Sequence, residues 1–281
     1  VYTSPSRTNF EGYALDVGSG CRAPTLAECR HRRRSGRTVT GTHDAGTWEI
    51  LRQVVIGARD LDKTGQQLRE ALNLAPGFAD PLLEGIGLAD ETLAGGPQAF
   101  LEIVAPLDET VSLARWIRKG GGEGGYALSI QVSNIEPYLE RAAAADVRTV
   151  ADLEAYGHRI VQLHPGDLGL LVELDEIPDA DEWFWDETEK EVSLDPWVDD
   201  ILGVDVSSPD PARTATLWAE VFGKEPVSAQ PLSIRLGSRV VSFVPGERSM
   251  LTAIDLAASS GASAVEPGLI VGGVEFRIHP R

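Results

Sequence analysis

The stretch LRQVVIGARDLDKTGQQLREALNL (51–74) decides how the rest of the chain is read. It opens as a mostly apolar strand, Leu51 to Ile56, in which Gln53 is the polar member. Asp60 stands where a helix N-cap belongs, and Leu61, Leu68 and Leu72 then line one side of a predicted helix. The same grammar returns in YALSIQVSNIEPYLERAAAADV (126–147), with Asn134 as the expected cap and Pro137 in the permissive first turn. It returns again in ILGVDVSSPDPARTATLWAEVFG (201–223), capped near Ser208 or Asp210, with Leu217, Trp218 and Val221 apolar.

After each helix come short alternating strands separated by Gly and Pro. The units close with FLEIVAP (100–106), LLVELDE (170–176) and VVSFVPG (240–246). A fourth unit, LTAIDLAAS (251–259) to GGVEFRIHP (272–280), keeps its strands but has lost most of its helix. A whole strand–helix–strand order rarely repeats by chance, so the period is stronger evidence than any single element. It predicts an α+β fold of repeated βαβββ modules. A single module cannot bury a strongly curved sheet, so the modules are expected to pair. The expected layout is an irregular extension over 1–48, one domain of two modules over 49–176, a linker over 177–196, and a second domain over 197–281 with a shortened last module. The stretch 175–200 has twelve acidic residues against Lys190, yet carries Trp183, Phe184, Trp185 and Trp197. A fully solvated linker would not hold four large aromatics. They are expected to pack across an interface or over a pocket mouth.

The bulk numbers exclude several classes. A chain of 281 residues with 42% hydrophobic content can build two ordinary cores. No stretch approaches the roughly 18 uninterrupted apolar residues of a membrane span, and no charged-then-apolar leader opens the sequence. A net charge of −18 argues against a nucleic-acid partner. The only cysteines, Cys21 and Cys29, do not make a disulfide scaffold, so a reducing, cytoplasmic setting is expected. Residues 1–48 show no periodicity, and seven arginines in 1–38 face Glu11, Asp16 and Glu28. Two readings of 1–38 stand level: upstream sequence outside the working protein, or a flexible tail.

Chemistry is concentrated in carboxylates set inside apolar strands. Glu102 lies in Phe100-Leu101-Glu102-Ile103-Val104 and Glu173 in Leu170-Leu171-Val172-Glu173-Leu174. An ionised carboxylate there costs several kcal/mol unless it is paired, hydrogen-bonded or bound to a metal. With Gln53 these residues occupy matching places in repeated strands and can converge in a barrel-like cleft. The alternative is that these strands are sheet edges whose polar residues meet solvent. No Ser-His-Asp or Cys-His arrangement has usable context, and no phosphate loop is present. Gly120-Gly121-Gly122 and Gly124-Gly125 follow a helix ending at Lys119, which suits a C-cap rather than a phosphate cradle.

Three passages resemble methylmalonyl-CoA epimerases and, more distantly, glyoxalase I, both of the vicinal-oxygen-chelate superfamily. They are LRQVVIGARDLD (51–62), EIVAPLDETVSLARWIRKGGG (102–122) and YGHRIVQLHPGDLGLLVELDE (156–176). The resemblance implies a divalent metal held by the first and last strands of two paired modules, at positions that fall on Gln53, Glu102, Ala127 and Glu173. Three of these match glyoxalase I; Ala127 stands where a histidine would be and cannot ligate. The remaining oxygen-rich set suits Mg²⁺ or Mn²⁺ better than Zn²⁺, with Ni²⁺ also in range. The epimerase acid/base falls near Gly87, leaving Glu84 or Asp90 as substitutes. His158 and His164 read as loop residues, while His31, His43 and His279 lie in the tail or at the chain end. In the second domain the equivalent positions are Gly203, Val241, Ala253 and Glu275, too few ligands for an extradiol dioxygenase.

Two functions follow from the resemblance. One is a metal-assisted lyase or epimerase acting on a small carbonyl or thioester substrate, with Glu173 or Glu102 shuttling a proton. The other is a metal-free binding protein that sequesters a drug-like or metabolite ligand, as bleomycin-resistance relatives do. Either way the expected partner is a small molecule, with no nucleic acid or membrane involved and a monomer or homodimer as the working form.

Overall fold

A computed structural model describes residues 46–120, 122–185, 195–225, 231–260 and 268–280. The expectations for 1–45, for the acidic run 186–194 and for the fourth module's lost helix at 261–267 fall outside the described residues.

The first module runs β1 (Glu49–Gly57), α1 (Leu61–Leu72), α2 (Pro81–Glu84), β2 (Leu88–Ala94) and β3 (Phe100–Pro106). As the sequence predicts, Asp60 caps α1, its carboxylate accepting from the Lys63 amide at 3.0 Å. Leu68 and Leu72 are fully buried, and Leu61 packs half-buried against the same core. One strand of the module has shrunk to a single bridge, Phe78 to Thr92. After α3 (Ser112–Gly120) the second module is complete: β4 (Gly124–Val132), α4 (Glu136–Ala144), β5 (Thr149–Ala155), β6 (His158–Leu163), α5 (Pro165–Leu168) and β7 (Leu171–Glu176). Asn134 does not cap α4. Its side chain accepts from Glu136 in a local turn, and Ile135 holds the cap position with no side-chain bond.

The third module is β8 (Val198–Ser208), α6 (Pro211–Phe222), β9 (Leu232–Leu236) and β10 (Arg239–Pro245). Between the two candidate caps of α6 the structure selects Asp210, which accepts from the Arg213 amide. Ser208 instead pairs with Thr214 at 2.8 Å. The fourth module supplies β11 (Met250–Ala258), β12 (Leu269–Val271) and β13 (Val274–His279).

One pairing rule runs through all four modules: the first strand pairs parallel with the last, as β1 with β3, β4 with β7, β8 with β10 and β11 with β13. Successive modules then join through antiparallel first strands, β1 with β4 and β8 with β11. The result is a mixed sheet of α+β class, not a doubly wound parallel one, and its modules are of the vicinal-oxygen-chelate βαβββ type. The sheets of the halves β1–β7 and β8–β13 join at one strand pair, Gly125 with Leu251. The halves pack further through α4 against α6, where Arg141 Nε donates to the Val221 carbonyl, and through Trp218 Nε1, which donates to the Leu168 carbonyl. Each sheet half packs one face on its helices. In the second half that face carries Val204, Val206, Val241, Phe243, Ile254 and Phe276, covered by Trp218 and Phe222 of α6.

Among the aromatics after β7, Trp183 and Trp185 are buried, at 5% and 9% exposure, in a cluster with Phe100 and Ile177. Trp197 is half-buried, less enclosed than the other two. Among the described residues no helix is long and apolar enough to cross a membrane.

Candidate functional site

The parallel register of β1 and β3 sets Val55 beside Glu102. Strand alternation therefore puts Gln53 and Glu102 on one face. Ser129 of β4 lies opposite Gln53 and beside Glu173, so Glu173 joins the same face, with Ala127 two positions along β4. The four positions named by the sequence thus share the concave face of the first half.

Their hydrogen bonds show how they are wired. Gln53 Nε2 donates to Glu102 Oε2 at 2.7 Å, and Trp185 Nε1 donates to Gln53 Oε1 at 3.2 Å. An indole nitrogen can only donate, so the Gln53 atom facing it must be the oxygen and the atom facing Glu102 must be the amide nitrogen. Glu173 accepts from Ser129 Oγ at 3.1 Å and from Gln162 Nε2 at 2.8 Å. Among the described residues no group of three or more His, Cys, Asp or Glu is placed to hold a metal ion.

Alternation brings two more carboxyls onto this face. Asp175 lies two residues beyond Glu173, is fully buried, and has no hydrogen-bond partner for either oxygen among the described residues. Asp90 of β2 is buried and accepts from the Asp80 amide at 3.0 Å on both oxygens. Burial is the main influence on all of them. It pushes the Glu102 carboxyl well above the usual range, aided by Asp90 and Glu173 and opposed by the Gln53 bond. Asp175 is pushed well up by burial and then by Glu173 and Glu102. Glu173 is raised by burial against the Gln162 and Ser129 bonds. Asp90 is pushed up to about 7 by burial, despite the Asp80 amide. Of the two proposed acid/base substitutes, Asp90 reaches the cup, whereas Glu84 is exposed at the end of α2.

The cup is filled by its own chain. A register shift between Leu51 and Gln53 marks a bulge at Arg52, whose Nε donates to Gln131 Oε1 at 2.5 Å and whose Nη2 donates to the Ala180 carbonyl. Gln131 Nε2 in turn donates to the carbonyls of Ile177, Asp179 and Glu182. These bonds strap residues 177–185 over one side, where the Trp185 ring sits 4.5 Å from Phe78. Tyr156 closes the edge, its hydroxyl donating to Asp80 Oδ1 at 2.5 Å and its ring 5.7 Å from Trp185. On the other side, Leu113 and Ile117 of α3 pack on Val55, Val104, Ala127 and Leu171.

His164 caps α5, its Nδ1 accepting from the Gly166 amide at 2.9 Å, and His158 packs edge-on to Phe184. In the second half, Gly203 lies as far before its cap aspartate, Asp210, as Gln53 lies before Asp60. Following the strand register from Gly203, the counterparts of Glu102, Ala127 and Glu173 are Ser242, Ala253 and Arg277. The sequence-based assignments of Val241 and Glu275 are therefore corrected. The counterpart of Asp175 is His279, bonded to Asp255 at 2.6 Å.

The chain matches no protein-family model and no curated protein in sequence. A hypothetical protein from Staphylococcus aureus is similar in structure, with a TM-score of 0.61 at 12% identity, over 83% of this chain and 99% of that one. A methylmalonyl-CoA epimerase from Mycobacterium tuberculosis aligns at 28% identity and a TM-score of 0.39, over 44% of this chain and 85% of its own. A hypothetical protein from Bacillus halodurans C-125 aligns at 24% identity and a TM-score of 0.42, over 48% and 99%. The first likeness supports the fold alone.

Proposed function

We propose that this chain is a vicinal-oxygen-chelate-fold protein that binds a small molecule and whose first cup takes no metal ion. The reading includes the division into domains 49–176 and 197–281. The observation that carries it is the Trp185–Gln53–Glu102 chain of bonds. Gln53 can ligate only through Oε1, which already accepts the indole N–H with one of its two lone pairs, while its amide protons face Glu102. Glu173 is likewise held by two donors, and Ala127 offers none. This donor set does not suit Mg²⁺, Mn²⁺, Ni²⁺ or Zn²⁺, which require oxygen or nitrogen lone pairs turned inward. On this reading Glu102, Glu173 and Asp175 are neutral or hydrogen-bonded core groups rather than ligands or proton shuttles.

One observation favours the second reading, a metal-assisted lyase or epimerase for a small carbonyl or thioester. After burial, Glu173 helps to raise the pKa of Glu102, and Glu173 and Glu102 help to raise that of Asp175; a cation among them would relieve that repulsion. Titration calorimetry with Mn²⁺, Ni²⁺ and Zn²⁺ separates the two. The metal-free reading expects no binding to the wild type, and none to Ala127→His while Trp185 is in place. Saturable binding to the wild type that Glu173→Gln abolishes would overturn it in favour of the metalloenzyme.

A further inference from the structure

Where the two halves meet, a crevice of about 260 Å³ opens outside the cup. Trp116, Tyr126, Pro165 and Leu170 form its floor, and Lys119 and Arg248 stand at its rim. The last turns of α3 bring Trp116 and Lys119 to one wall. Trp116 meets Tyr126 edge-on at 5.2 Å, and among the described residues its indole N–H has no acceptor. The opposite wall is the turn between β10 and β11. Ser207 Oγ fixes that turn, its one proton shared between the Arg248 carbonyl at 2.6 Å and the Met250 carbonyl at 3.2 Å. The guanidinium of Arg248 lies against Gly120, where a Cβ would make it shift.

The chain has 43 acidic residues against 25 Lys and Arg, yet among the described residues the Arg248 guanidinium has no carboxylate partner. Even its neighbour Glu247, which also borders the crevice, is not paired with it. An unpaired guanidinium beside an aromatic floor is a complementary surface for a ring bearing an anion. The floor takes the ring by dispersion and edge contacts, and the planar fork takes a carboxylate through two parallel bonds. Junctions between domains are where such sites commonly form, and ligand pockets start at roughly 300 Å³, so this one suits a single substituted ring.

We propose that this inter-half crevice binds an aromatic carboxylate, with its ring on Trp116 and Tyr126 and its carboxylate on Arg248. The proposal deepens the ligand-binding reading and rests on it, but its test lies in a different place from the metal titrations. Benzoate is the probe, with benzamide (same ring, no charge) and acetate (same charge, no ring) as controls, titrated into the ¹⁵N-labelled full chain. The expected result is a saturable shift of the Trp116 indole N–H with benzoate and about ten-fold weaker responses to both controls. Arg248→Gln should weaken benzoate binding about ten-fold, equivalent to ~1.4 kcal/mol, with the melting temperature unchanged. No saturable shift at Trp116, equal binding of benzamide, or full affinity in Arg248→Gln would each overturn it. Metal binding in the first cup would leave this outcome unaffected, so the two failures are distinguishable.

Discussion

The two concave sheet faces are built by the same strand order and covered differently. In the first half the strap 177–185 and α3 roof the face, and the polar groups beneath meet neutral partners: Gln53 for Glu102, Ser129 and Gln162 for Glu173. In the second half the matching face has no such roof among the described residues, and its polar groups meet opposite charge. Arg277 contacts Asp205 at 2.7 Å and Glu275 at 2.8 Å, and His279 contacts Asp255. The register makes the contrast sharp, because Glu173 is replaced by Arg277 and Asp175 by His279. What covers a sheet face decides which chemistry it can keep. A roofed face favours neutral, hydrogen-bonded carboxyls, since burying charge is costly, whereas an open face can hold ion pairs at little cost or gain.

The comparison predicts the largest effect where the roof is removed. Trp185→Ala takes a buried ring from between Phe78 and Tyr156 and strips Gln53 Oε1 of its donor. It should cost ~3–5 kcal/mol in urea unfolding, and a loss below ~1 kcal/mol would show the strap to be a loose cover. Next comes the unpartnered carboxyl. Asp175→Leu removes a buried group with no hydrogen bond among the described residues and should raise stability at neutral pH by ~1–3 kcal/mol. A destabilised variant would mean that Asp175 has a partner essential to the fold.

The third effect is a pH dependence. Each raised carboxyl holds its proton more tightly folded than unfolded, so its contribution is intact below the ordinary carboxyl value of about 4 and is lost as pH rises. For Asp90 the loss is complete above about 7; for Glu102 and Asp175, both pushed well above the ordinary value by burial, it has the same sign. The melting temperature should fall by about 5 °C between pH 5 and pH 8, and Asp90→Asn should flatten the slope. A melting temperature that rises over this range would contradict the assignment. The smallest effect belongs to the open face. Arg277→Gln breaks half-exposed pairs and should cost no more than ~1 kcal/mol, less at high salt. A larger, salt-independent loss would mean that this face is covered in the working protein.

Much of this architecture is legible along the chain, because its causes are local. Asp60 and Asp210 mark helix starts by their own chemistry, and the apolar strands after each helix reveal the module period. The mid-strand carboxylates Glu102 and Glu173 stand out against apolar neighbours, and simple alternation puts them on one face with Gln53. Asp175 was equally legible, two residues beyond Glu173. What escaped depends on contacts between distant segments. The bulge that turns Arg52 toward Gln131 appears only once β1 meets β4. The indole that occupies Gln53 comes from 132 residues away. Assigning Val241 and Glu275 to the second face missed by one and two residues. Strand register is fixed by pairing, and a shift of one residue exchanges faces.

The central claim, that the first cup keeps its carboxyls protonated because its own chain covers them, can be read directly from the side-chain carboxyl ¹³C shifts of Glu102, Asp175 and Asp90 across pH 4 to 9. The account predicts that Glu102 and Asp175 titrate well above the ordinary carboxyl range, while Asp90 passes its midpoint near about 7. Full ionisation of all three by pH 6 would contradict it and would point to a cation held among them.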